Sequence, residues 1–281
     1  MPSKTISKRK KQHWSWRATK AVVGGLGKGS LWVVKKIASG VYSGGRLAVR
    51  KAKEKKKASM LMKQPHYAIP AVYKEFGVVK QVLGDYSVAG GRLLRDSLIV
   101  LIFGKRGSGK SALGFRIMEN IHSHTGRKCY VLGVKQEVLP QWITTVDDVE
   151  QLANGGVLLV DEGAVAFGAR ESMQAKNREL GKLMAIARHK DLTLLFVTQN
   201  TGMLDKNVLK LADSLLIKEG SLLQLEMERA EVKKFYQKAH DAFGKLPGKQ
   251  KYFYMVDSDF EGVLESELPS FWSSTVSKSR A

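Results

Sequence analysis

The stretch GKRGSGKS, residues 104–111, has the spacing G-x-x-x-x-G-K-S, which is typical of a loop that binds phosphate groups. An apolar stretch, SLIVLIF, precedes it and a helix-forming stretch follows, as this kind of loop requires. Glycines let the backbone N–H groups turn towards phosphate oxygens, and Lys110 is placed to contact the β and γ phosphates of a nucleotide. The predicted nucleotide-binding residues are Gly104, Lys105, Arg106, Gly107, Ser108, Gly109, Lys110, Ser111 and Ala112.

A second stretch, GGVLLVDEGA, ends four apolar residues on Asp161 and Glu162. A carboxylate at the end of a buried strand suits Mg²⁺, so we predict that Asp161 and the Ser111 hydroxyl hold the ion. Glu162 is then placed to polarise an attacking water. The pair favours hydrolysis over kinase chemistry, in which the acceptor is a substrate hydroxyl; a strand that merely ends in an acidic turn is the alternative interpretation.

A third stretch, ARHKDLTLLFVTQN, ends an apolar run on Gln199 and begins near Arg188. P-loop ATPases with a catalytic glutamate commonly insert one strand between the phosphate-loop strand and the Asp-Glu strand. LTLLFVTQ is the candidate for this strand, and Gln199 would then sense the γ-phosphate or orient the attacking water. The alternative is that Gln199 only caps the end of the strand.

Six apolar runs must position these residues, and each is nearly continuous rather than alternating. Strands buried on both faces have this pattern, so we predict a mainly parallel sheet flanked by helices, the α/β fold class of P-loop NTPases. The predicted strands cover residues 97–103, 128–134, 156–161, 192–198, 214–219 and 251–256. The segment after the last of these strands is predicted to be an acidic loop.

Charge divides the chain into three parts. The 281 residues carry a net charge of +21, and residues 1–63 hold 18 Lys or Arg against the single acidic residue Glu54. We therefore predict a basic, tryptophan- and glycine-containing N-terminal extension at 1–63, a helical connector at 64–96 and an ATPase domain at 97–281.

The N-terminal extension has three possible partners. Lysines and arginines interleaved with Trp14, Trp16 and Trp32 are suited to DNA phosphates, to an anionic membrane or capsid surface, or to solvent alone. No sequence feature separates the first two. The single cysteine, Cys129, excludes an intramolecular disulfide and fits the cytoplasm of a host cell or a virion, with peripheral membrane contact as an alternative.

From Ser97 to Lys218 the sequence resembles the FtsK/HerA group of P-loop ATPases, which includes viral genome-packaging ATPases. GKRGSGKS, LLVDEGA and the block RELGKLMAIARHKDLTLLFVTQN carry the resemblance. It implies a RecA-like domain with an additional strand and a catalytic glutamate, which uses ATP and Mg²⁺ in a hexameric homo-oligomer that translocates double-stranded DNA. In that group an arginine near this block enters the neighbouring subunit's site, which suggests Arg188 first and Arg178 second as this arginine finger.

Three other interpretations remain. Membrane-associated phage morphogenesis ATPases of the zonula occludens toxin type share an RH before the apolar strand and an Asp comparable with Asp205. A nucleotide-binding assembly scaffold would bind nucleotide without moving DNA. A nucleotide kinase is a third class, but it gives no reason for Gln199 or Arg188. The predicted catalytic residues are thus Glu162, Gln199, Lys110 and Arg188.

Overall fold

The computed structural model describes residues 69–150, 152–161, 173–199, 206–221, 228–244 and 246–278. All of them belong to Pro65–Ala281, the second of the two units into which the chain divides. The basic extension, Glu162 and Asp205 lie outside the described residues. The predictions made for them therefore stay predictions.

Nine strands in the described part of the chain form one sheet in the order β1-β9-β8-β7-β2-β6-β5-β3-β4. The six strands from β7 to β4 in this order are parallel, whereas β8, β9 and β1 join antiparallel at one side. The strands are β1 Gly77–Gly84, β2 Ile99–Phe103, β3 Cys129–Leu132, β4 Ile143–Val146, β5 Val157–Asp161, β6 Thr193–Thr198, β7 Ser214–Ile217, β8 Tyr252–Val256 and β9 Phe260–Glu265.

Helices cover both faces of the sheet. They are α1 Tyr86–Arg95, α2 Lys110–Thr125, α3 Met173–His189, α4 Lys206–Leu211, α5 Ala230–Phe243 and α6 Ser274–Lys278, with 3₁₀ turns at Gln136–Val138 and Lys249–Lys251. Side chains of α1, α2 and α6 pack in one apolar core, and those of α3, α4 and α5 pack in another. None of the helices described is both long and apolar enough to cross a membrane.

The central strands contribute to both cores, which explains their continuous apolar sequence. In β2, Leu101 and Phe103 belong to one core, whereas Val100 and Ile102 belong to the other. Residues of a strand alternate between faces, so a strand covered on both sides needs apolar residues at every position. The mainly parallel α/β fold predicted from the sequence is confirmed, as are all six predicted strands.

Three strands were not predicted, and each departs from the buried pattern. The helical connector contains the strand β1 before its helix α1, and every residue of β1 is exposed. The helical prediction was therefore wrong for Gly77–Gly84, which pairs along one edge only and buries no face. The predicted acidic loop contains β9, whose half-buried Glu261 and Glu265 interrupt its apolar pattern. The four-residue β4 is too short to show a period.

A buried ion pair on α2 fastens two distant segments to the domain. Arg116 Nη1 lies 3.0 Å from Glu119 Oε2, with side chains only 2% and 0% exposed. Glu119 accepts hydrogen bonds from the backbone N–H groups of Val72 and Ser270, both at 3.0 Å. Arg116 donates to the carbonyl oxygens of Val72 and Leu268. Burial lowers the pKa of Arg116, which Glu119 opposes by stabilising the charged guanidinium.

Removal of one partner of this pair should be costly, because the other charge stays buried without compensation. We expect Glu119→Ala to lower the free energy of unfolding by about 3 to 5 kcal/mol, measured by urea denaturation. Glu179→Ala is the matched control, since Glu179 and Lys182 also form an i,i+3 pair, at 2.8 Å, but in solvent. It should cost less than about 1 kcal/mol, and equal effects of both substitutions would contradict a special role for the buried pair.

Candidate nucleotide-binding site

The phosphate loop connects the end of β2 to the start of α2, as predicted. Gly109 precedes α2 with a φ of 88°, a left-handed conformation that favours glycine, and Leu113 N donates to its carbonyl oxygen at 3.0 Å. The loop is tied to the neighbouring strand connection by Lys105 N, which donates to Glu219 O at 3.0 Å. Gly109, Lys110 and Ser111 at the start of α2 line a cavity, so an anion can reach this helix terminus.

Lys110 is buried within this loop. Its side chain is 7% exposed, and Nζ donates to the carbonyl oxygen of Lys105 at 2.7 Å. The ammonium group is thus held by the loop itself. A phosphate group at the start of α2 would compete with the Lys105 carbonyl oxygen for this ammonium group. The phosphate carries a full negative charge, so it accepts a stronger hydrogen bond than a carbonyl oxygen does.

Other loop residues differ in their surroundings. Lys105 Nζ lies 2.6 Å from Glu219 Oε2, so its charge is already compensated by a carboxylate. Arg106 is exposed, whereas Ser108 and Ala112 are buried. Ser108 Oγ is buried and has no hydrogen-bond partner among the residues that the structure describes. This state is costly for a hydroxyl group, and a phosphate oxygen would relieve it.

The predicted magnesium ligands lie together. Ser111 Oγ donates to Asp161 Oδ2 at 3.1 Å, although 50 residues separate them. Both are oxygen donors, and Mg²⁺ is usually held by one or two such side chains together with phosphate oxygens and water. Among the described residues no group of three or more His, Cys, Asp or Glu surrounds a metal-sized space. The Ser111 and Asp161 pair therefore fits an ion that is bound jointly with a nucleotide.

Gln199 lies at the same edge of the sheet. The strand β6 is inserted between β2 and β5, as expected from the resemblance to P-loop ATPases. Thr198 is level with Phe103, and Val197 is level with Asp161. The exposed Gln199 therefore follows β6 between the phosphate loop on one side and Asp161 on the other.

The first candidate arginine, Arg188, does not join this site within one chain. Arg188 lies at the end of α3, where Nη2 donates to Leu211 O at 2.8 Å and lies 4.0 Å from Asp213 Oδ1. Asp213 also accepts from the N–H of Ile99, at the amino end of β2. Arg188 is thus at the edge opposite the phosphate loop, and Arg178 is exposed on α3. A role for Arg188 at a nucleotide therefore requires a second subunit.

The site opens into a cavity of about 570 Å³. Gly107, Gly109, Lys110, Ser111 and Asp161 line it. The apolar residues Leu268, Trp272 and Val276 from the C-terminal segment also line it. A cavity of this size with both polar and apolar lining residues suits a nucleotide.

The C-terminal segment packs on α2 through aromatic side chains. Phe271 packs edge to face on Phe115 of α2 with ring centroids 5.6 Å apart, and Trp272 lies 6.1 Å from the same ring. Only the fold shows that Trp272 borders the cavity.

Lys218 is a site residue that the sequence analysis missed. It follows β7 beside the phosphate loop, is 1% exposed and lines the cavity. Burial and the neighbouring Lys110 lower its pKa to about 7. The available signal was a lysine directly after the apolar run SLLI, which is unusual for a buried parallel strand.

The sequence matches no protein-family model and no curated protein. Among solved structures, the chain is similar to the genome packaging NTPase B204 from Sulfolobus turreted icosahedral virus 2 in complex with AMP. The identity is 19% over 61% of this chain and 98% of that chain, with a TM-score of 0.44.

Two further structures are similar. The pCW3 conjugation coupling protein TcpA is 11% identical over 70% of this chain and 68% of that chain, with a TM-score of 0.46. ATPases 2 and 3 of EssC from Geobacillus thermodenitrificans are 10% identical over 73% and 47% of the two chains, with a TM-score of 0.39. A viral packaging NTPase is thus among the structures similar to this chain, as the sequence resemblance predicted. The phosphate loop and the strand order give the chain the fold of a P-loop NTPase, and the Ser111 and Asp161 pair fits a nucleotide bound with a metal ion.

Proposed function

We propose that the protein is an ATP-hydrolysing motor that translocates double-stranded DNA as a hexameric ring of identical subunits. One observation carries this proposal: β6 lies between β2 and β5, so Gln199 is placed between the phosphate loop and Asp161. A polar residue at this position can report the γ-phosphate or orient a water. A nucleotide kinase has no corresponding need for it.

The residues divide the hydrolytic work by position. The backbone N–H groups at the start of α2 and Lys110 bind the phosphate chain, and Ser111 and Asp161 would hold Mg²⁺. When bound, the ion neutralises charge on the phosphate oxygens. Glu162 takes a proton as water attacks the γ-phosphorus and the bond to the leaving ADP oxygen breaks, while Gln199 orients that water. Glu162 directly follows Asp161, the last residue of β5.

The charge distribution supports DNA as the partner. Residues 1–63 contribute +17 of the net charge of +21, and basic residues alternate there with three tryptophans. DNA phosphates release bound counterions when lysines and arginines bind them, which favours binding at low salt.

We propose that DNA translocation takes place in the host cytoplasm or in the virion.

DNA and nucleotide dependence can be tested together on the full chain. We expect duplex DNA to stimulate ATP hydrolysis, with a stimulation that falls as salt concentration rises. Lys110→Ala should abolish ATP binding and hydrolysis, whereas Glu162→Gln should abolish hydrolysis and retain ATP binding. Glu179→Ala, an exposed change on α3, is the matched control. Unchanged hydrolysis in both site variants would refute the assignment.

Gln199 should affect turnover rather than binding. Gln199→Ala removes the carboxamide that orients the water, so we expect kcat to fall about a hundredfold. The affinity for ADP should stay within about threefold, because the phosphate loop is untouched. Steady-state kinetics and ADP titration measure the two effects, and a loss of ADP affinity with unchanged kcat would assign Gln199 to binding.

Arg188 is proposed as the residue that reaches the neighbouring subunit's nucleotide and neutralises charge on the transferred phosphoryl group. Its exposure and its place opposite its own phosphate loop support this role. Arg178 is the second candidate.

Mixed oligomers test this role. If Arg188 acts in trans, Arg188→Ala subunits should lower the ATPase activity of wild-type neighbours, so activity falls more steeply than the wild-type fraction. Arg178→Ala in the same titration tests the second candidate. If ATPase activity instead falls in proportion to the wild-type fraction, Arg188 has no role in trans and only its contact with Leu211 O within its own chain remains.

A membrane-attached assembly protein, including one of the zonula occludens toxin type, is the second candidate function. The observation that favours it is the same basic, tryptophan-containing extension, which also suits anionic lipid. Binding of the full chain to anionic vesicles and to duplex DNA at matched salt separates the two functions. Vesicle binding without DNA binding or DNA-stimulated hydrolysis would favour the assembly protein.

A further inference from the structure

The buried Lys218 lies directly beside the phosphate loop. Its N–H donates to Phe103 O at 2.8 Å, so it continues the parallel pairing of β7 with β2 up to the first loop residue. A Cβ at Gly104 would lie 2.8 Å from Lys218 Cβ, which shows how closely the two backbones approach. Any side chain larger than the hydrogen atom of glycine is therefore excluded at residue 104 unless Lys218 moves.

The side chain of Lys218 runs along the loop to the start of α2. A Cβ placed on Gly109 would lie 3.6 Å from Lys218 Cε and 3.7 Å from Nζ. The ammonium group therefore lies next to the residue that precedes α2, where the N–H groups of a helix attract anions. Lys218 also lines the cavity, together with Lys110.

No carboxylate among the described residues lies within 4 Å of this ammonium group. Lys218 Nζ donates to the carbonyl oxygen of Gln250 at 2.5 Å. The adjacent Glu219 is instead turned to Lys105 at 2.6 Å and to Lys249 at 3.9 Å. The neighbouring Lys110 adds repulsion, which together with burial lowers the pKa of Lys218.

A buried lysine such as Lys218, with no carboxylate of the described residues within 4 Å, is unfavourable unless an anion binds beside it. A methionine would fill the same space without a charge to desolvate, so packing alone does not require a lysine here. A polyphosphate supplies several negative charges at the start of α2, which offset the burial of both ammonium groups.

We propose that Lys218 is a second phosphate-binding residue, which acts with Lys110 to hold the di- or triphosphate of a nucleotide. This inference rests on the proposed nucleotide site and adds to it. Two lysines at the phosphate chain make the binding affinity depend more strongly on the number of phosphate groups. Lys218 therefore increases the affinity for ATP and ADP more than the affinity for AMP.

Affinities for ATP, ADP and AMP, measured by calorimetry without Mg²⁺, test this proposal. Lys218→Met keeps the packing and removes the charge, so we expect tenfold or greater weakening for ATP and ADP. AMP affinity should change by less than about threefold, and the melting temperature should not fall. Unchanged ADP and ATP affinities would make Lys218 a structural residue only.

A matched control separates this contact from general electrostatics. Lys249→Met also removes a positive charge near the cavity, but Lys249 is paired with Glu219. It should leave the affinities for all three nucleotides within about twofold. An equal loss in both variants would overturn the proposal, because a long-range charge effect would then explain the result.

Proton uptake by the wild-type protein gives a measurement that does not depend on the variant's folding. A phosphate chain beside Lys218 favours its charged form, so ADP binding at pH 8 should take up a proton. Calorimetry in buffers of different ionisation enthalpy measures this uptake, and its absence would contradict the proposal. If the wild-type protein binds no nucleotide, the proposed function fails. If it binds nucleotide but Lys218→Met leaves the affinities unchanged, only the role of Lys218 fails and the proposed function stands.

Discussion

The parallel pairing of β2, β6 and β5 is the constraint on which the site depends. Carboxyl ends of parallel strands meet at one edge of a sheet, so three chain segments far apart in sequence end side by side. The register places Phe103 level with Thr198, and Val197 level with Asp161. A shift of one residue would turn every side chain of a strand to the other face and separate these groups.

Helix α2 joins the site to the rest of the domain. Its first turn carries Lys110 and Ser111, and two turns later Arg116 and Glu119 bind the segments around Val72 and Ser270. The second of these segments continues to Trp272, which borders the cavity. The phosphate loop and both extended segments are therefore attached to one helix, which makes the buried ion pair a structural support of the site.

Several parts of the fold were predictable because their signals are local. Continuous apolar runs predicted the six buried strands, since strands covered on both faces leave no polar position. The exposed β1 and the interrupted β9 lacked this signal, and pairing with a neighbour decided their conformation instead. The phosphate loop was predictable from residue types and spacing, because its shape depends on glycines within a few residues.

The place of β6 was an expectation from the resemblance, and only the assembled sheet showed that Gln199 lies between the loop and Asp161. Lys218 gave only the weak signal of a lysine after an apolar run, because its place in the site depends on closeness to Gly109, more than 100 residues earlier.

The sequence by itself determined the phosphate loop, the buried strands and the charge of the N-terminal extension. Each of these follows from residue type and short-range spacing. The tertiary structure decided which strand ends meet, where Arg188 lies and which lysines share the cavity. These properties depend on strand order and register, and therefore on contacts between residues that are distant in the chain.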